Sequence, residues 1–148
     1  MRILIKASLL ATMLFAGAAG AQNNSPIGLW KTVDDETGKP KALVRITEEN
    51  GALQGKIEKL FRGPNEDQNP TCVACTDSRK NQPIIGMTIV SGLKKDGNEF
   101  TGGEILDPAK GKVYKSKATL RDGGQRLEVR GYIGAPMFGR SQVWQREQ

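Results

Sequence analysis

Short runs of alternating apolar and polar residues, cut by turn pairs, dominate the chain and exclude most folds. In Lys41 to Glu48, Ala42, Val44 and Ile46 fall on one face, with Lys41, Leu43, Arg45 and Thr47 on the other. Successive strand side chains point to opposite sides of a sheet, so this spacing predicts a strand with one buried face. Asn50-Gly51 follows, a favoured pair for a two-residue hairpin, and Leu53, Gly55 and Ile57 continue the period. Asp96-Gly97, Asp107-Pro108 with Gly111, Asp122-Gly123-Gly124 and Gly134-Ala135-Pro136 punctuate the rest. Between them lie Asn98 to Leu106, Val113 to Leu120, Arg126 to Ile133 (Leu127, Val129 and Ile133 sharing a face) and Arg140 to Arg146. Ile27 to Val33 and a strand within Met87 to Leu93 bring the total to about eight. From residue 22 onward no long 3.6-residue period occurs, so helices are few.

The expected fold is therefore all-β. Short sequential hairpins favour an up-and-down antiparallel meander, and about eight strands can close into a small barrel without an exposed sheet edge. A barrel of that size is either filled by side chains or holds one small ligand. One connection stands apart, a polar stretch from Arg62 to Gln82 rich in Pro, Asn, Asp and Gly that contains Cys72 and Cys75. Loops of that length in compact domains are usually functional or disordered.

The N-terminus carries a different signal. Arg2 and Lys6 precede an uncharged, largely apolar run, Ala7 to Gly20, which ends in Ala19-Gly20-Ala21. That order is a secretory signal peptide over residues 1–21, cleaved before Gln22, which places the protein in the periplasm or outside the cell. The run is too short for a membrane anchor, which needs about 20 apolar residues, and no other segment qualifies. Residues 22–148 are then one domain. Losing Arg2 and Lys6 lowers the formal charge from +6 to +4. The cations are spread along strands and turns rather than clustered with exposed aromatics, which argues against a nucleic-acid partner.

The residue types that usually carry catalysis are scarce. There is no histidine in the chain, which removes Ser–His–Asp and Cys–His nucleophiles and every imidazole metal site. No Gly-rich phosphate loop followed by Lys and Ser/Thr is present. The carboxylate pairs Asp34/Asp35/Glu36, Glu48/Glu49 and Glu66/Asp67 fall in polar turn segments, whereas acid–base work needs a carboxylic acid in an apolar cleft. No catalytic residue, metal or cofactor is expected. Cys72-Val73-Ala74-Cys75 admits four readings. Export to an oxidising compartment favours a structural disulfide; a metal site completed by Glu66, Asp67 or Asp77, a redox pair and free thiols are the alternatives.

Two tryptophans bracket the domain, Trp30 in the first strand and Trp144 in the last. A Trp near the base of a barrel, covered by an Arg of the final strand, plugs one end through packing and a cation–π contact. Trp30, Trp144 and Arg140 are the residues assigned to that plug, with Trp30 as a pocket residue the alternative. Strand alternation puts Val44, Ile57, Met87, Ile89, Phe100, Tyr114, Leu127 and Val129 on inward faces, and with Trp30 they form the candidate ligand-lining set. A one-residue slip would turn a strand's whole set outward.

Several blocks carry a resemblance. Gly28-Leu29-Trp30, Pro83-Ile84-Ile85-Gly86-Met87, Gly102-Gly103-Glu104-Ile105-Leu106-Asp107-Pro108 with Gly111 and Tyr114, and Leu127-Glu128-Val129-Arg130-Gly131-Tyr132-Ile133-Gly134 followed by Phe138-Gly139-Arg140 and Trp144 resemble, in order and spacing, the bacterial exported domain-of-unknown-function family 2147. The similarity runs from about Ile27 to Arg146, and the Cys pair lies outside its blocks. It implies a signal-bearing envelope protein with a lipocalin-like barrel and supplies no activity. The expected function is that of a non-enzymatic periplasmic barrel binding a small apolar ligand; the alternative is a filled barrel serving as a structural or interaction module of the envelope.

Overall fold

The computed structural model describes residues 23–148, and the segment assigned to a signal peptide lies outside them. Eight strands follow one another: β1 Gly28–Val33, β2 Pro40–Glu49, β3 Ala52–Leu60, β4 Thr88–Asp96, β5 Glu99–Asp107, β6 Lys112–Arg121, β7 Arg126–Tyr132 and β8 Gly139–Arg146. Each pairs antiparallel with its sequence neighbours, and β8 returns to β1, closing the barrel. The expected up-and-down architecture is the observed one. A single 3₁₀ turn, Asp122–Gly124, interrupts it among the described residues.

Local chemistry sets the hairpins. Asn50 and Gly51 have φ of 52° and 79°, the left-handed pair that a two-residue turn between right-twisted strands requires. Inside the barrel the alternation becomes a core: Val44, Ile46, Leu53, Ile57, Val90, Leu93, Leu106, Ala118, Leu127, Val129 and both tryptophans are buried in one cluster. Gly103 keeps its place because a Cβ there would meet the Ser91 carbonyl at 2.6 Å and the Leu93 side chain at 2.7 Å.

Closure depends on a short seam. Only Trp30↔Arg146 and Lys31↔Gln145 are in register between β1 and β8, and backbone bonds from Glu147 N to Leu29 O (2.8 Å) and from Leu29 N to Gln148 O (3.1 Å) extend it. Trp30 is fully buried. Its indole N–H donates to Pro26 O at 2.8 Å, and the Arg146 guanidinium lies 4.3 Å from its ring centroid. Arg146 also donates to Gly124 O (2.6 Å), Ile27 O (3.0 Å) and Ser25 O (2.5 Å). One cation thus ties the incoming chain, the β6–β7 turn and the seam over the Trp30 ring. Partial burial works against that charge and lowers the pKa of Arg146.

Arg140 does not take part in this plug. It stands at the start of β8, at the opposite end of the barrel, where it bonds Asp35 at 2.8 Å. The two arginines are six positions apart on one strand, which at about 3.3 Å per residue separates them by about 20 Å; only the one in register with Trp30 can cover it. Trp144 is buried one cross-strand pair inside the seam, opposite Leu127.

The long β3–β4 connection folds onto the open end. Cys72 and Cys75 are disulfide-bonded, with Cα atoms 5.4 Å apart, and both are fully buried. Cys72 pairs through its backbone with Gln82 O (2.9 Å) and Asn81 N (2.8 Å), and a Cβ on Gly111 would strike the Ala74 carbonyl. The loop is therefore seated on the β5–β6 turn. Arg79 grips Asp77 and donates to Thr88 O at 3.0 Å, pinning the loop to the start of β4. Those side-chain hydrogen bonds pull the Asp77 carboxyl down to about 2.

Three outcomes follow from these contacts. Arg146→Ala loses the cation–π contact and three charge-assisted bonds and should cost about 3 kcal/mol, whereas Arg140→Ala, which breaks one exposed ion pair, should cost under about 0.5 kcal/mol; urea unfolding of both variants checks the contrast. Replacing both cysteines by alanine should cost about 2 kcal/mol, the chain-entropy value for so short a loop, and hydrogen exchange should rise first in residues 62–86. The Asp77–Arg79 clamp should be complete above about pH 4, where an unfolded Asp is already ionised, and should be lost as pH falls through about 2, read as loop-amide exchange against pH.

Candidate functional site

The side chains of the barrel do not fill it evenly. Around Trp30, the half that holds Ile46, Leu53, Leu93 and Leu127 is packed with large residues. Toward the other end the inward positions are Thr32, Ala42, Val44, Ile57, Val129 and Gly131, and between them lies a cavity of about 720 Å³. Trp144 lines its deep part, and the indole N–H donates to Gln142 Oε1 at 3.3 Å. Leu60, Ile84, Ile89, Ile105, Leu106 and Tyr114 complete the apolar wall.

The mouth is polar and charged. Lys41, Arg62, Glu66, Asp107, Lys110 and Arg140 line it together with Phe61, Ile133 and Phe138. Arg62 pairs with Glu66 at 3.5 Å, and Glu66 also accepts the Gly63 N–H at 2.9 Å. Asp107 accepts the Ala109 N–H at 3.0 Å, closing its own turn. The arrangement is a greasy well beneath a hydrogen-bonded, charged rim, the usual form of a small-molecule site.

Of the residues assigned to the interior from sequence, Val44, Ile57, Ile89, Tyr114 and Val129 meet on the cavity wall. Four others do not. Trp30 and Leu127 belong to the packed half below the cavity, where strand alternation is right about the face and silent about the depth. Phe100 sits at the closed end, beside a separate hollow of about 240 Å³ bounded by Ile27, Leu53 and Leu93. Met87 precedes β4; it is buried at the root of the long loop, its carbonyl accepting Ile57 N at 3.0 Å. Ile133, grouped with Leu127 and Val129 by parity, lies past the end of β7 and is exposed on the rim. Leu60, Phe61, Ile84, Ile105, Leu106, Phe138 and Gln142 were missed as wall residues. Phe61, Ile84 and Phe138 lie in or beside loops, where no period-two signal operates, and Leu60, Ile105 and Leu106 stand near the mouth ends of β3 and β5. Gln142 is a polar residue turned inward, which a hydrophobicity pattern discards.

Among the described residues no helix is long and apolar enough to cross a membrane. A solved structure described as "Protein HP1028 from the human pathogen Helicobacter pylori belongs to the lipocalin family" is similar over 84% of each chain, with a TM-score of 0.70 and 18% identity. At that identity the likeness is one of fold. No curated protein matches the chain. The profile of the family described as "Uncharacterized protein conserved in bacteria (DUF2147)" matches residues 28–146, the whole span from the first residue of β1 to the last of β8. The chain belongs to that bacterial family, and its member fold here is a lipocalin-like barrel of eight antiparallel strands.

Proposed function

We propose that this is an exported periplasmic protein, not an enzyme, that binds one small and predominantly apolar molecule inside its barrel. The cavity carries the reading. Its volume of about 720 Å³ falls in the range of about 300–1,000 Å³ found for small-molecule sites, and a barrel acting only as a filled structural module has no need of it. The composition of the wall supports an apolar occupant: aliphatic and aromatic side chains surround the deep part, and the charged groups sit at the mouth. The same distribution supports a binding role over a catalytic one, since the mouth carboxylates, Glu66 exposed and Asp107 half-buried, are tied into turns or ion pairs. Chemistry on a bound molecule calls for a titratable group held in the apolar depth. Export is supported by the charged, apolar and small-residue order of residues 1–21 and agrees with a disulfide in the folded domain.

Native mass spectrometry of the protein from an exporting cell should show a chain beginning at Gln22 with a co-purifying small mass. With N-phenyl-1-naphthylamine as a neutral fluorescent probe, binding should saturate at one molecule per barrel. Val129→Phe, which adds bulk to the wall, should weaken that binding by about tenfold, or about 1.4 kcal/mol, while Phe100→Ala should leave it unchanged. Probe binding that does not saturate, or that Val129→Phe leaves untouched, would remove the cavity from the function.

A further inference from the structure

We propose that the open end of the barrel is a docking face for an anionic lipid bilayer, with the β7–β8 turn, residues 133–138, as the element that enters it. The first observation is a one-sided surface. Nine large hydrophobic residues are exposed among those described, and seven of them lie on loops and strand ends of the open end, Ile27 and Val143 being the exceptions. Single apolar residues scattered over a surface need no explanation, but a concentration at one pole does. The β7–β8 turn holds the extreme: Ile133, Met137 and Phe138 are 65%, 76% and 69% exposed, and Val73 of the disulfide loop is 68% exposed on the same end.

The second observation concerns the backbone of that turn. Arg130 donates to Pro136 O (2.6 Å), Met137 O (3.4 Å) and Gly139 O (3.3 Å). Ile133 N bonds Phe138 O at 3.2 Å, and Phe138 N bonds Ala135 O at 3.0 Å. In hydrocarbon each unmatched backbone group costs several kcal/mol, so a turn that enters it must bond its carbonyls internally. Here the apolar side chains point out while four of the turn's carbonyls, those of Ala135, Pro136, Met137 and Phe138, are matched from within.

Charge selects the kind of surface. In residues 34–41, 61–87, 107–112 and 130–140, which form the open end, cations outnumber carboxylates nine to seven. The excess is small, but the pairing is uneven. Asp35, Glu66 and Asp77 are each held by an arginine, which leaves six cations against the carboxylates Asp34, Glu36, Asp67 and Asp107. Lys39, Lys41, Lys110 and Lys112 flank the mouth on strands β2 and β6 or the turns leading into them, with no ion pair among the described residues. An apolar tip ringed by such lysines matches anionic headgroups above an acyl layer. The docking stands on the rim alone and does not need the cavity to be filled, although a bilayer is where an apolar ligand would be met.

Flotation of the exported protein with vesicles of phosphatidylcholine and phosphatidylglycerol in equal parts tests it. The parent should float with the mixed vesicles and less with phosphatidylcholine alone or in high salt. Met137→Asp should bind at least about tenfold more weakly, and Ile27→Asp at the closed end as well as the parent. Met137→Trp supplies a readout of the tip itself, because the native tryptophans are buried: its emission should shift to the blue on mixed vesicles, even if a retained N-terminal segment tethers every variant. An unshifted emission, equal binding by parent and Met137→Asp, or equal binding to both vesicle types would overturn the proposal. So would a dimer dissolved by Met137→Asp in a protein that ignores vesicles.

Discussion

Everything in this molecule depends on β8 meeting β1. Strand pairs such as β2–β3 hold eight paired positions across one bulge, but the closing pair has two. Left open, that seam would expose two strand edges and the face of Trp30, the largest buried side chain at the base. The seam holds because Arg146 is at once a ladder residue opposite Trp30, a cation over its ring and a donor to three carbonyls from otherwise separate segments. A neutral side chain could supply the ladder bonds alone. A lysine could place a charge but could not spread planar donors in three directions while stacking on the indole.

That closure also makes the two ends of the barrel unlike. The base is sealed by chain: residues 23–27 cross it, with Asn23 N bonded to Gly123 O at 3.1 Å, and its hairpins are tight. The other end carries the long connections, including the disulfide-fixed β3–β4 loop and the β7–β8 turn. A barrel with one sealed end can exchange a ligand only through the other. Anything that approaches the molecule to deliver or collect one must meet the apolar turn and the lysines there. Fold and surface thus point the same way.

The architecture was legible because period-two alternation is a local signal with a direct steric cause, and the turn pairs fixed where it restarts. The resemblance blocks carried the barrel class as well. The disulfide could be favoured from compartment alone. Depth could not be read. Val44 and Trp30 share an inner face and a cross-strand pair, yet one lines the cavity and the other lies beneath it. Nor could alternation separate Arg140 from Arg146, two arginines of the same parity on one strand, because which of them reaches Trp30 is decided by the register of strands far apart in sequence. The mouth was least legible of all, being made of loops whose side chains follow no period.

Side-chain size decides where the barrel is hollow. A closed sheet of eight strands has a nearly fixed bore, just wide enough for side chains to fill. In the base, Trp30, Leu93, Leu127, Ile46 and Leu53 are large enough to meet across it. Toward the mouth the inward positions of β1, β2 and β7 pass to Thr32, Val44 and Ala42, and Val129 and Gly131, which are too short to span the same bore even with Ile57, Ile105 and Tyr114 on the rest of the wall. Gly131 shows the constraint from the other side: a Cβ there would already sit 3.4 Å from both Ile105 and Tyr114, so a bulky residue on β7 would close the passage from wall to rim. This shortening runs along β1, β2 and β7, independent of the alternation that builds them. It is therefore the feature that converts a generic closed meander into a container with one opening.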